Sequence, residues 1–330
     1  MKRILFMPPE PWYVENHMEY LIRYFSNEYF MEQGMAGDEA ARRANPLLKN
    51  PDDYDLLIPL LPTHPTIDTK KYGYKMAAIL WEPREGVWNQ VKMCAATTPL
   101  AVRCMERDGW ANYVAATPGI DTELFRPIPF AREDSLLHVG VVCCFHNPRH
   151  RVKDVILPLL DIPGVKFDFY ARNFWPERDN DIIAAGGDRF LENVRDGNKT
   201  WPGVANTYNR MDVLLKVDAD PGLTFPVMEA AACGKPFIAT NVGIEGEFAE
   251  AGAGIVINAD EPDDDGNHRG WYLSHIPETI ARIRSAIEFL RDNSLERNIM
   301  GKAGREYMLE KYTWEKQLPN WREFFRRALA

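Results

Sequence analysis

The residues that most constrain this chain run from Met211 to Gly243, MDVLLKVDADPGLTFPVMEAAACGKPFIATNVG. Asp212 to Val217 is a short, mostly apolar run and reads as a buried strand. Asp218, Ala219, Asp220, Pro221 and Gly222 form a turn cluster. A helix follows, with Thr224 at the N-cap and Pro226 in the first turn, where a missing N–H costs nothing. Cys233-Gly234-Lys235-Pro236 ends it, because Gly accepts the left-handed C′ conformation and Pro cannot continue a helix. Phe237 to Thr240 is the next strand. Strand, loop, helix and strand in this order make a unit of an α/β domain. Its loop aims backbone N–H groups and the positive helix end at the crevice where open parallel sheets bind ligands. Glu229 lies one turn into the helix, among Val227, Met228, Ala230, Ala231 and Ala232. A carboxylate is costly there if buried alone. It is better explained at a cleft edge, accepting hydrogen bonds from hydroxyls.

The same alternation extends along the chain. Arg3 to Met7, Tyr54 to Leu61 and Tyr74 to Trp81 read as strands, and Met18, Leu21, Ile22 and Phe25 fall at helical spacing. Leu136 to Phe145, Val165 to Tyr170 and the Gly-broken Ala251 to Asn258 are further strands. Pro277 to Arg291 and Asn293 to Lys311 have helical periodicity. Ala171 to Asn206 carries no clear pattern. A tail helix begins at Thr313, with Trp314, Leu318, Trp321, Phe325 and Leu329 on one face and a kink expected at Pro319. Such alternation implies mostly parallel sheets, and 330 residues suffice for two domains. The first strand has no GxGxxG loop, which weighs against a dinucleotide dehydrogenase.

A formal net charge of -9 argues against non-specific nucleic-acid binding, which needs Lys and Arg on phosphates. The five cysteines form no CxxC pair, so neither a zinc nor a redox site is indicated. Reduced thiols, no signal-peptide pattern and no bilayer-spanning run lead to the expectation of a cytoplasmic protein.

The stretch PGLTFPVMEAAACGKPFIATNVG resembles the donor-binding motif of family-4-type retaining glycosyltransferases of the GT-B fold. That motif has two glutamates separated by seven residues, a small-residue helix, Cys-Gly-x-Pro, a strand and a Gly-containing loop. Glu229 matches the second glutamate; the first falls on Pro221, with Asp220 adjacent. The run Trp81 to Trp110 resembles an N-domain segment of some of these enzymes, and Thr117-Pro-Gly-Ile-Asp-Thr-Glu-Leu-Phe-Arg-Pro127 resembles the segment that closes that domain. Thr207 to Arg210 resembles a tyrosine-containing turn, and Glu245-Gly-Glu247 lies where the family has a glutamate loop near the donor.

The resemblance implies two Rossmann-like domains facing a cleft. Residues 1–130 would form the acceptor domain, joined by the helix 313–330, and residues 131–312 the nucleotide-sugar domain. It implies a UDP- or GDP-sugar as co-substrate, a sugar, lipid or other hydroxyl acceptor, no metal and no separate cofactor. Glu229 would hold donor hydroxyls, beside the loop Gly222, Leu223 and Thr224. Arg149, Arg151 and Lys153, just past a strand, would hold the diphosphate, Arg151 matching the family's lysine. Arg151, His64 and Asp220 are the candidate catalytic residues, His64 because the family has a histidine facing the sugar at about that point. His64 between prolines reads equally as a plain loop residue. Asp218-Ala-Asp220 has a second reading as a metal-binding DxD, and Arg322, Arg326 and Arg327 give the tail helix a second reading as a membrane-surface element. Pro221 keeps open a further alternative, a transferase-like nucleotide-sugar-binding protein without catalysis.

Overall fold

The structure, a computed structural model, describes residues 1–7, 15–36, 42–43, 45, 47–59, 69–80, 90–145, 147–171, 177, 179–196, 201–219, 222–257 and 275–330. The chain divides into two compact units, 1–119 with 314–330, and 120–313.

In the first unit, strands β1 (Arg3–Met7), β2 (Phe30–Gln33) and β3 (Leu56–Pro59) pair in parallel in the order β2-β1-β3. Strands β4 (Ala77–Leu80), β5 (Met93–Ala96) and β6 (Tyr113–Ala115) form a second parallel set, joined to the first where Leu57 bridges Met76. Side chains alternate across this layer. Ile4, Phe6, Leu56, Ile58, Ile79 and Ala95 belong to one core; Leu5, Met7, Leu57, Ala78, Leu80, Cys94 and Ala96 belong to the other. Both faces are therefore covered, which is why these strands read as continuous apolar runs. Helix α1 (Glu15–Phe25) packs on the first face with Met18, Leu21 and Phe25. After the short α2 (Thr69–Tyr72), α3 (Pro99–Arg107) covers the second face with Leu100, Ala101, Cys104 and Met105. Thr98 caps α3 by accepting the Ala101 N–H at 3.1 Å.

The second unit holds one six-stranded parallel sheet in the order β12-β11-β10-β7-β8-β9. Its strands are β7 (Leu137–Val142), β8 (Val165–Ala171), β9 (Val194–Asp196), β10 (Val213–Lys216), β11 (Phe237–Thr240) and β12 (Gly254–Ile257). This is the doubly wound Rossmann order, with the chain reversing direction across the sheet between β7 and β10. On one face Val139, Val141, Phe167, Phe169 and Leu215 pack against α4 (Asn180–Leu191) and a π-helical turn, Val152–Ile156. The remaining helices are α5 (Trp201–Arg210), α6 (Phe225–Ala232), α7 (Glu245–Glu250), α8 (Ile276–Asp292) and α9 (Ser294–Lys311). Ile283, Ile287 and Leu290 of α8 complete that core. Gly301 of α9 sits on the end of α6 so closely that a Cβ there would lie 2.2 Å from the Gly234 carbonyl oxygen.

Helix α10 (Trp314–Leu329) belongs to the first unit. Trp314, Trp321, Phe324, Phe325 and Ala328 are buried in its core, and Phe325 meets Phe6 and Phe25 edge-on. The apolar face that a membrane-surface helix would insert is thus used up on the sheet. Its arginines are engaged too: Arg322 with Glu28, Arg326 with Glu323, and Arg327 with the Tyr113 carbonyl. The helix continues as one element through Pro319.

Several elements differ from the sequence reading. β2 and β6 were unmarked because they are short and carry charged or half-exposed residues. The patternless segment contains α4, bent at Gly187 (φ 53°), then β9 and α5. Residues 120–130 pack in the second unit, where Arg305 donates to the carbonyls of Thr122 and Phe125 and Asn209 to that of Arg126. Among the described residues, the five cysteines form no disulfide; Cys94, Cys104 and Cys233 are buried.

Candidate functional site

The loops that follow β7 and β10 meet at the point where the second sheet reverses order, the place where open α/β sheets bind ligands. After β7 the chain makes a single 3-10 turn, Pro148–His150, begun by Asn147, whose side chain accepts the Arg149 N–H at 3.2 Å. Arg151 follows in the left-handed region at φ 51°. A non-glycine residue holds that conformation only where its surroundings impose it. Here its backbone closes the 3-10 turn by donating to the Pro148 carbonyl at 3.2 Å and opens the π-helical turn by accepting the Val155 and Ile156 N–H groups; the Ala219 N–H, from the loop after β10, donates to the Arg149 carbonyl at 2.8 Å and ties the two loops together.

Beneath this junction lies a buried polar cluster. His150 Nδ1 bonds to Asp218, and Lys216 Nζ lies 2.8 Å from the other Asp218 oxygen and 3.1 Å from the same ring nitrogen. Burial, together with the Lys216 charge, pulls the imidazole down to about 4 and keeps it neutral at ordinary pH. The Asp218 carboxyl is held well below the usual carboxylate range: burial opposes this, but Lys216 and His150 prevail. Thr240 donates to the Asp218 carbonyl and accepts its N–H, anchoring the loop to β11.

On the other side of β10, α6 starts at Phe225 with Pro226 in its first turn. Thr224 occupies the N-cap position but does not cap. Its hydroxyl donates to Glu245, which also accepts the Gly243 N–H at 2.7 Å. A buried carboxylate is the stronger acceptor and captures the hydroxyl. Gly222 donates to the Val242 carbonyl at 3.1 Å, and a Cβ on Gly243 would fall 2.0 Å from the Gly222 oxygen. Glycine is required for these loops to touch. Burial pushes the Glu245 carboxyl up to about 7. Its folded value therefore lies above its unfolded one, so its stabilising contribution is complete below about pH 4.5 and is lost as pH rises through about 7. Glu245→Gln is expected to flatten the fall in thermal stability between pH 5 and pH 8. Equal slopes for variant and wild type in melting curves across that range would contradict this.

Glu229 is buried on α6 and accepts the Tyr208 hydroxyl at 2.5 Å. Tyr208, on α5, is itself fully buried. The three expected cations are not equivalent. Arg149 is half-buried beside the β10 loop. Arg151 pairs with Asp154 at 2.5 Å and has a buried Nε with no hydrogen-bond partner among the described residues. Lys153 is more than half exposed and 3.6 Å from Asp181. Glu247 is taken by the hydroxyls of Tyr307 and Tyr312. Leu223 and Thr224 are buried at the head of α6. His64, Asp220 and Pro221 lie outside the described residues, and among the described residues no group of three or more His, Cys, Asp or Glu side chains is placed to hold a metal.

Sequence reasoning missed His150, Lys216 and the clamp by Glu245. A signal for Lys216 was present: it interrupts the buried run Val213 to Val217, so it needed a counter-charge, and Asp218 lies two residues on.

No protein-family model matches the chain, and no curated protein is significantly similar to it in sequence. Its fold is shared by solved structures. A sucrose-phosphate synthase from Thermosynechococcus elongatus superposes with a TM-score of 0.70 at 13% identity, over 99% of this chain and 99% of that one. HepE from Anabaena, solved with UDP, gives 0.69 at 12%, over 99% and 100%. A glycosyltransferase from Rickettsia africae ESF-5 gives 0.68 at 13%, over 99% and 98%. These likenesses and the two parallel-sheet units define the fold as GT-B.

Proposed function

We propose that the chain is a glycosyltransferase that moves a sugar from a nucleotide-diphosphate donor to a hydroxyl acceptor, with retention of configuration and without a metal. The observation that supports the reading is the meeting of the β7 and β10 loops where the sheet reverses, with Arg149 and Arg151 on the first loop and α6, which carries Glu229, after the second. HepE, similar in fold, has also been solved with UDP-glucose. In this reading Glu229 holds ribose hydroxyls of the donor. The diphosphate leaving group sits against Arg149, Arg151 and Lys153 and the head of α6 at Leu223 and Thr224, beside Gly222, where positive charge and helix N–H groups stabilise the charge that develops on departure. The first unit is proposed to bind the acceptor, with His64 and Asp220 near the sugar.

The test is calorimetry with UDP, GDP and ADP and their glucose esters, followed by product detection with sugar and lipid acceptors. Binding of no nucleotide would end the proposal. Binding without transfer or hydrolysis would favour the non-catalytic reading that Pro221, in place of a motif glutamate, keeps in play. Turnover is expected to persist in EDTA, because protein cations and a helix terminus carry the diphosphate charge. Loss in EDTA with recovery on adding magnesium or manganese would refute this assignment.

A further inference from the structure

The cluster of His150, Lys216 and Asp218 has no evident structural purpose. Lys216 and Asp218 side chains keep only 6% and 10% of their surface, and an apolar replacement of such a buried ion pair is commonly as stable or more so. What the cluster does is fix one imidazole. Asp218 is held ionised and can only accept, so its bond to Nδ1 requires the proton there; Lys216 satisfies the second carboxylate oxygen, its 3.1 Å approach to Nδ1 being a charge contact and not a hydrogen bond, and the ring cannot turn without breaking the Asp218 bond. With Nδ1–H committed, Nε2 carries a lone pair. Among the described residues no hydrogen bond reaches it and it is not one of the fully buried polar atoms without a partner, so part of the 8% of surface that the side chain keeps falls on Nε2, one residue before the left-handed Arg151.

We propose that His150 Nε2 is a recognition atom that accepts a hydrogen bond from a hydroxyl of the ligand bound at the β7–β10 reversal. This rests on the donor-binding reading above and assigns a residue to it. The chemistry selects the partner. A neutral, acceptor-only nitrogen can take a hydroxyl proton, whereas an ionised phosphate has none to give. The loop thus divides its work: Arg149 and Arg151 meet the diphosphate, and the histidine between them meets a hydroxyl. That hydroxyl belongs to the ribose or to the transferred sugar. His150 binds and positions; a ring so reluctant to take a proton is a poor general base near neutral pH.

The test uses the whole chain and the tightest binder among UDP, GDP and ADP, with its glucose ester, its 2′-deoxy form and inorganic pyrophosphate. His150→Phe keeps a ring of similar shape without the acceptor. It is expected to weaken the hydroxyl-bearing ligand about three- to tenfold and leave pyrophosphate unchanged. If the ribose is the partner, the variant no longer distinguishes the nucleotide from its 2′-deoxy form. If the sugar is the partner, only the glucose ester is affected. As pH falls through about 4, the wild-type advantage over the variant should shrink, because a protonated ring has lost its lone pair. Lys216, Asp218 and Arg149 are the charged groups facing the ring, and Asp218 stays ionised over that range. Equal affinities of wild type and folded variant for every ligand would overturn the proposal, as would an equal loss of pyrophosphate. Should the variant not fold, 15N spectroscopy of wild-type histidine side chains decides. An unprotonated Nε2 that shifts on ligand addition supports the assignment, and a protonated or unmoved Nε2 overturns it. Failure of wild type to bind any nucleotide would instead count against the function itself.

Discussion

Trp321→Ala is expected to destabilise the first unit by about 3–5 kcal/mol, the cost of removing a large aromatic from a packed core. Trp321 is fully buried in α10, meets the Phe324 ring edge-on at 5.7 Å and donates its indole N–H to the Thr117 carbonyl at 3.1 Å. The substitution opens a cavity beneath the sheet and leaves that carbonyl unpaired, and both effects act in the same direction. Urea unfolding, followed with a probe in residues 1–119, measures the loss. A change under about 1 kcal/mol would mean that α10 is not part of this core. An Arg326→Ala variant, on the exposed side of the same helix, should change little, because exposed ion pairs contribute little.

Glu229→Ala should weaken donor binding by about 1.5–3 kcal/mol, roughly ten- to hundredfold, since hydrogen bonds to a charged group are the stronger kind. The structure adds a complication that the sequence did not reveal. Tyr208 already donates to Glu229, so removing the carboxylate also takes an acceptor from a buried hydroxyl. Stability and affinity must therefore be separated. The double variant Tyr208→Phe, Glu229→Ala should recover stability while nucleotide affinity stays low. If calorimetry on either folded variant gives wild-type affinity, Glu229 is a structural partner of Tyr208 and the donor's hydroxyls are held elsewhere.

The sequence made the strand–loop–helix–strand unit from Met211 to Gly243 legible almost residue by residue. Its strands are buried on both faces and its helix has an unambiguous proline start and glycine stop. The short strands of the first unit were less legible, because four residues of Phe30–Gln33 at a sheet edge have no apolar run to announce them. Thr224 was read correctly as the residue before the helix but wrongly as its cap. Its actual partner, Glu245, is distant in sequence, and only burial reveals the pairing. His150 was invisible for the same reason: its neighbours Lys216 and Asp218 come from a strand that the fold, not the sequence, places beside it.

Helix α10 also sets an order of assembly. The first unit is discontinuous, since its core needs Trp314, Trp321, Phe324 and Phe325, which the ribosome makes only after every residue of the second unit. The second unit is a continuous segment and can complete its own sheet as soon as it emerges. Domains generally fold as units during synthesis, the N-terminal one first. Here that order is reversed. The N-terminal strands wait with one apolar face uncovered, so it is this unit, and not the continuous second one, that most depends on protection from aggregation.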